Sequence, residues 1–276
     1  MAEVVESFNC AKCGAPLKVK RGEAVIVCDY CGSTNSLRAD KAFVIKHSWM
    51  PNRLSKEDVL RKAREWMSNS LIMPPGIEKS EITKAGLVYV PIWIFETENT
   101  TRYSGIFLRG EGERKVSGVE EMKLFWKVLG RRQSAFPVRE YKVPLTAKVP
   151  FTLEEAMEGE MLNGELDEEE AKSIARQEIA EHMKGLLAEK VDRFESCETE
   201  TRFGESEFVH IPVWLLEFKY NGKSYKLVIE GTNGEVLKGE IPPSDFLSGE
   251  MKLIMGIAAA LILFIACGFL ALMFLR

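Results

Sequence analysis

Glutamine and histidine are nearly missing from this chain. Of its 276 residues only Gln133 and Gln177 are glutamine, and only His47, His182 and His210 are histidine. Three scattered imidazoles offer no His-based nucleophile pair and no His-rich metal site. No G-x-x-x-x-G-K-[ST] loop and no G-x-G-x-x-G occurs, which excludes the enzymes that cradle nucleotide phosphates in those loops. An opening signal peptide is also missing: Met1–Ser7 carries Glu3 and Glu6 and no apolar core. Cysteine is absent between Cys31 and Cys197, so the six cysteines do not read as a disulfide framework, and a reducing compartment is expected. Scarce glutamine beside abundant Lys and Glu is a composition shared with heat-adapted proteins.

Charge of one sign is not in excess overall, the net being −4, but it is unevenly placed. Residues 1–40 balance, 41–150 carry 20 bases against 12 acids, and 151–200 carry 16 acids against five bases. A basic half followed by an acidic strip reads as two solvated faces that attract each other.

What is present begins at the N-terminus. Cys10-x-x-Cys13 and Cys28-x-x-Cys31 stand 14 residues apart, each pair followed by a glycine (Gly14, Gly32). A two-residue gap turns both thiolates of a pair onto one ion, and two pairs close a tetrahedron. The intervening APLKVKRGEAVIV reads as strand, turn at Arg21–Glu23, and strand. One structural Zn²⁺ held by Cys10, Cys13, Cys28 and Cys31 is therefore expected in a ribbon spanning 1–40. Four thiolates leave no position for a water, so this ion is structural. Lys12, Lys18, Lys20 and Arg21 form a small basic patch for nucleic acid, but the ribbon's acids cancel it, so nucleic acid is not the favoured partner.

At the other end, Leu253–Leu275 is 23 residues without a charge. That length spans a bilayer. The expectation is a single transmembrane helix (252–275) at the C-terminus of a tail-anchored protein in the cytoplasmic membrane, its N-terminal part facing the cytosol.

Between the ends, YVPIWIFE (Tyr89–Glu96) returns as HIPVWLLE (His210–Glu217). Each follows an apolar helical stripe with a capping pattern: Ser55 with Asp58, and Asp167 with Glu170. Each is followed by a second strand, with Asn221-Gly222 and Asn233-Gly234 as hairpin signals in the later copy and Glu98–Thr100 as the turn in the earlier one. The resulting fold class is α+β: a zinc ribbon, a duplicated α-β-β domain with antiparallel sheets (units 41–110 and 166–245), and the membrane helix. Trp93 and Trp214 are open to two readings, a paired core element or a groove that takes a peptide or lipid. The connector 111–165 places Arg131, Arg132, Arg139 and Lys142 near aromatic residues, as a contact for phosphate or anionic lipid. Pairing of these bases with the acidic strip is the other reading.

In this order, the CxxC…CxxC ribbon, LSKEDVLRKAREWM, LVYVPIWIFE, VPLTAKVPFTLEEA, LDEEEAKSIARQEI and VHIPVWLLEFKYNGKSYKLVIEGTNGEV resemble a prokaryotic family of ribbon-bearing proteins. That family is labelled as similar to the zinc region of the primosomal protein N′ helicase. The resemblance implies Zn²⁺ at the four cysteines; the helicase's ATPase loop is missing. The last unit is locally similar to a PepSY module, which implies protein or peptidase regulation by analogy. The function expected is a non-enzymatic adaptor or scaffold at the membrane acting through protein partners. The alternative is a membrane-tethered nucleic-acid binder using the ribbon and the stretch 123–148.

Overall fold

The structure, a computed structural model, describes residues 4–38, 41–69, 73–108, 112–132, 136, 145–153 and 158–243. In the N-terminal part, β1 (Val4–Asn9) pairs with β2 (Pro16–Lys20), and β3 (Val25–Val27), β4 (Thr34–Arg38) and β5 (Lys41–Val44) form a three-stranded antiparallel sheet. The remainder comprises β6 (His47–Trp49), α1 (Lys56–Asn69), β7 (Glu81–Phe107), β8 (Arg114–Leu129), β9 (Val149–Pro150), β10 (Glu160–Met161), α2 (Glu168–Leu187), β11 (Arg193–Tyr220), β12 (Lys223–Glu230) and β13 (Val236–Gly239).

Two very long strands, β7 and β11, run antiparallel along almost their whole lengths and carry everything else. On the outer edge of β7 lie β10, parallel, and β8, antiparallel; on that of β11 lie β6, parallel, and β12, antiparallel, with β13 beyond. The two Pro-x-Trp strings cross at the centre. Val90 faces Ile211, Pro91 faces His210, Tyr89 faces Pro212, Trp93 faces Phe208 and Leu87 faces Trp214. Equivalent positions of the two strings thus meet reciprocally about the Val90–Ile211 pair.

A proline inside a central strand normally breaks a ladder. Here each one sits where the outer neighbour changes. β10 flanks β7 at Val88 and Tyr89, and β8 takes over from Ile92. β6 flanks β11 through His210, and β12 takes over from Val213. The missing N–H falls in that gap, while the proline carbonyls still accept from Gly130 (2.8 Å) and Gly231 (2.9 Å). A break in the outer neighbours thus serves where such a proline normally needs a strand start, an edge or a bulge.

Alternation sorts the side chains of this sheet. One face carries Leu87, Tyr89, Trp214 and Leu216 under Val59, Ala63 and Met67 of α1, and Trp93, Phe95 and Phe208 under Ala171, Ala175 and Ile179 of α2. The other face carries Val88, Val90, Ile92, Val209, Ile211 and Val213 against Met50 and Phe136. α1 packs over β7, β11 and β12, and α2 over β7, β8 and β11. Both helices start as their capping patterns require. The Ser55 hydroxyl accepts from the Asp58 N–H (3.1 Å), and Asp167 and Glu170 make the reciprocal pair at α2.

Four expectations are corrected. Among the described residues the fold is mostly β, with thirteen strands against two α-helices, so the α+β class does not hold. The strands following the two helices do not build separate antiparallel sheets, because β7 and β11 pair with each other and merge them into one eight-stranded sheet. Glu98–Thr100 is no turn: Asn99 and Thr101 are buried in β7, which continues to Phe107. Cross-strand partners on both sides, Met122 and Thr201 at Asn99, hold the backbone extended there. Finally, among the described residues no helix is long and apolar enough to cross a membrane, and α1 and α2 carry charge along one face instead. The single-pass, cytosol-facing placement is therefore withdrawn; the stretch Leu253–Leu275 on which it rested lies outside the described residues.

The turn at Asn221-Gly222 has the geometry its sequence demands. Both residues have positive φ (48° and 75°), and β11 returns directly into β12.

Candidate metal centre

Cys10 and Cys13 lie on the turn that joins β1 to β2, Cys28 and Cys31 on the turn that joins β3 to β4. The two turns are built alike. Gly14 N–H donates to the Cys10 carbonyl and Gly32 N–H to the Cys28 carbonyl, both at 2.9 Å. Gly14 (φ 76°) and Gly32 (φ 68°) hold the left-handed conformation that closes each turn, which favours a residue without Cβ. The predicted pair of strands in APLKVKRGEAVIV exists as β2 and β3, but each pairs elsewhere, so every CxxC pair sits at the tip of its own hairpin.

The four sulfurs lie within 4.8 Å of one another, a cluster that can hold a metal ion. Cys10 Sγ and Cys31 Sγ are 3.7 Å apart, Cys13 Sγ and Cys28 Sγ 3.8 Å. A tetrahedron with Zn–S bonds of about 2.3 Å has S···S edges of about 3.8 Å, so the donor set fits zinc. Around the sulfurs the protein supplies donors. Ser33 Oγ lies 3.1 Å from both Cys10 and Cys31, and the buried Asn35 directs its Nδ2 at Cys10 (3.6 Å) while its Oδ1 accepts from Ala11 N–H (2.9 Å). Such outer contacts fix the ligands in place.

The four thiols are crowded enough to move one another's ionisation, in opposite directions at Cys10 and Cys13. Burial pushes Cys10 up, yet hydrogen bonds from Ser33, from the Cys13 and Lys12 backbone and from Asn35 outweigh it and bring the thiol down to about 5. At Cys13 the Ala15 backbone favours the thiolate, but the neighbouring sulfurs and burial prevail and push it up to about 12. Four sulfurs this close oppose one another's ionisation, and a divalent ion at their centre would remove the conflict.

The ribbon is bolted to the long sheet by polar contacts. Val25 exchanges backbone hydrogen bonds with Gly164 (3.0 and 2.9 Å), and its side chain enters the cluster of Trp93 and Phe208. Beside it runs a chain that sequence reading missed. Thr34 Oγ1 meets His47 Nδ1 at 2.6 Å, His47 Nε2 meets His210 Nδ1 at 2.7 Å, and His210 Nε2 donates to the Leu162 carbonyl at 2.8 Å. Tyr89 holds the equivalent place in the other string, an exchange that by itself points only to packing. The sequence carries no signal that a fully buried imidazole at 210 would face another from residue 47, since that contact exists only once β6 lies parallel on β11.

Burial pushes both imidazoles below the ordinary value of 6.5, His210 to about 4 and His47 in the same direction with the charge of His210 adding to it. The sign follows directly. Between pH 6.5 and the lowered value the unfolded chain binds a proton that the folded chain refuses, so stability is full above that window and falls as pH drops through it. His210 alone is expected to cost about 3 kcal/mol by pH 4. Urea midpoints measured from neutral pH downward check this; a flat profile would contradict two neutral buried imidazoles.

Trp93 and Trp214 are both buried, 1% and 8% exposed, in different clusters. Their indole N–H groups donate to the Leu166 carbonyl and to Asn52 Oδ1, each at 3.0 Å. Arg131 pairs with Glu165 (2.6 Å) and Arg132 with Glu170 (2.7 Å), so the acidic strip meets the basic half at these positions. Arg38 of the ribbon reaches Asp167, Glu168 and Glu169 of the same strip. Arg139 and Lys142 lie outside the described residues.

Between the second cysteine turn and the sheet body opens a groove of about 590 Å³, lined by Lys12, Tyr30, Val44, His47, Phe151 and Leu153. Tyr30 (65% exposed), Val44 and Leu153 present apolar surface to solvent at its rim. Compared with protein-family models, curated proteins and solved structures, the chain matches none of them.

Proposed function

We propose that this chain is a zinc-ribbon protein without a reaction of its own, an adaptor that holds a protein partner on a surface organised by the metal. The ion would be zinc, held by Cys10, Cys13, Cys28 and Cys31. Four thiolates fill its tetrahedron and leave no position for a reacting water, which supports an organising role. The observation that carries the reading is the groove beside Cys31. One wall (Tyr30, Val44) belongs to the ribbon and the other (Phe151, Leu153) to the sheet body, so the groove exists only while the ribbon is folded and docked. Exposed apolar surface of this kind marks contact with another macromolecule. The resemblance to ribbon-bearing proteins and to a PepSY module supports the same reading.

The test is affinity capture with the full chain, comparing the unaltered protein with Tyr30→Ala plus Val44→Ser. The double variant is expected to keep one zinc per chain, by metal analysis, and to lose at least about tenfold in retention of its protein partner. Equal retention by both proteins would sink the groove as the docking surface. Retention of DNA or RNA at low salt that falls steeply as salt rises would replace this reading with a nucleic-acid one.

A further inference from the structure

Strand β8 is a long edge that carries charged side chains but that no proline or bulge interrupts. Its 16 residues pair with β7 from Ile92–Leu129 to Phe107–Arg114, and among the described residues no strand lies on its other side. Open edges are commonly blunted by proline, by a bulge or by shortness. Here β8 has no proline and its register with β7 runs without a break. Its solvent-facing side carries, in order, Val119, Glu121, Lys123 and Phe125. Val119 is 58% and Phe125 63% exposed, large values for apolar residues on a regular strand.

We propose that this edge is a homodimer interface, in which β8 of a second copy pairs antiparallel to it about a twofold axis through Met122. Two adjacent antiparallel strands related by such an axis keep like faces together, so directly opposed positions share a side of the sheet. Centred on Met122, the pairing sets Glu121 against Lys123 of the second copy and Val119 against Phe125 of the second copy, and each of these pairs occurs twice. On the face turned towards α2, Met122 meets its own equivalent. The neighbouring registers that keep the faces together do not match: centring on Glu121 opposes two glutamates and sets Lys115 against Lys127, and centring on Lys123 opposes two lysines. Glu121 makes no ion pair among the described residues, whereas Lys123 is 2.5 Å from Glu98 of its own chain and would sit between two carboxylates in the dimer. The pattern therefore selects one partner, this same strand, and one register. A continuous sheet across two molecules would satisfy the N–H and C=O groups left open along β8 and cover the exposed valine and phenylalanine.

Sedimentation velocity of the full chain, from about 1 to about 100 µM, provides the test. The unaltered protein is expected to move from monomer to dimer within that range. Glu121→Lys and Lys123→Glu, each alone, place like charges opposite each other twice and should raise the dissociation constant by about tenfold or more. Mixed in equal amounts, the two variants restore Glu–Lys opposition and should recover dimers containing one of each. A protein that stays monomeric throughout overturns the proposal and leaves the edge to another partner. Two variants that dimerise as well alone as the unaltered chain, or a mixture that gains nothing, also overturn the register.

Discussion

Cys10→Ser together with Cys13→Ser is expected to abolish metal binding and unfold β1 to β5, with the larger part of the eight-stranded sheet still folded. The reason is the size of the ribbon's own core. Its buried residues are Cys10, Leu17, Val19, Ile26 and Cys28, and two of the five belong to the cysteine cluster. A segment of that size does not bury enough apolar surface to offset the entropy of ordering its backbone. Folding of such units is driven by the ion, whose apparent contribution in comparable peptides is about 10–16 kcal/mol at neutral pH. Removing two thiolates removes that term and leaves β1–β2 and β3–β5 with little to hold them. The body should feel the loss as well. Val25 leaves the cluster around Trp93, and the Thr34–His47 hydrogen bond opens, which predicts a further destabilisation of the sheet by about 1–3 kcal/mol. Metal analysis and hydrogen exchange read the two effects separately. Loss of the metal with unchanged exchange protection between Cys10 and Leu37 would show that the ribbon folds without it.

Trp93→Ala should be the most damaging single substitution in the sheet, costing about 3–5 kcal/mol. Trp93 lies parallel to Phe95 with ring centroids 6.0 Å apart and edge-on to Phe208 at 5.0 Å. It also donates to the Leu166 carbonyl immediately before α2, and truncation leaves that buried acceptor without its donor. The cluster it centres joins β7, β8, β11, α2 and the ribbon's Val25, so the cavity cannot close by moving one element. Trp214→Ala should cost less. Trp214 is slightly more exposed, and its partner Asn52 stands on a loop that can turn to water. Urea unfolding of both variants provides the comparison. A Trp93→Ala protein within about 1 kcal/mol of the unaltered chain would mean that the indole is not a core element.

Several features were legible before any coordinates because they depend on neighbours in sequence. A CxxC pair closes over two residues, and the turn glycines, the caps at Ser55 and Asp167 and the Asn221-Gly222 turn are likewise decided within four residues. Glu98–Thr100 misled for the same reason: Asn, and more weakly Thr, favour turns locally. In the fold they are held extended between β8 and β11, where Asn99 bonds to the Met122 carbonyl and to Thr201 and so satisfies its polar groups without turning. The two helices read true as helices, but the fold class did not follow from them. Most of the chain lies in strands whose length, 27 residues in β7 and 28 in β11, comes from pairing with each other.

The sequence by itself determined the four-cysteine cluster, the helix starts and the repetition of Pro-x-Trp, since each is a short-range pattern. Tertiary structure alone decided what the repetition is for. Neither string can show that Val90 will face Ile211, that the prolines will fall where outer strands change over, or that both indoles will be buried by the helix from the other half. It also decided that His47 and His210 meet, through a parallel contact between residues 163 positions apart. Pairings of that separation are set by which register buries the most apolar surface over the whole sheet, a sum that no local stretch of sequence contains.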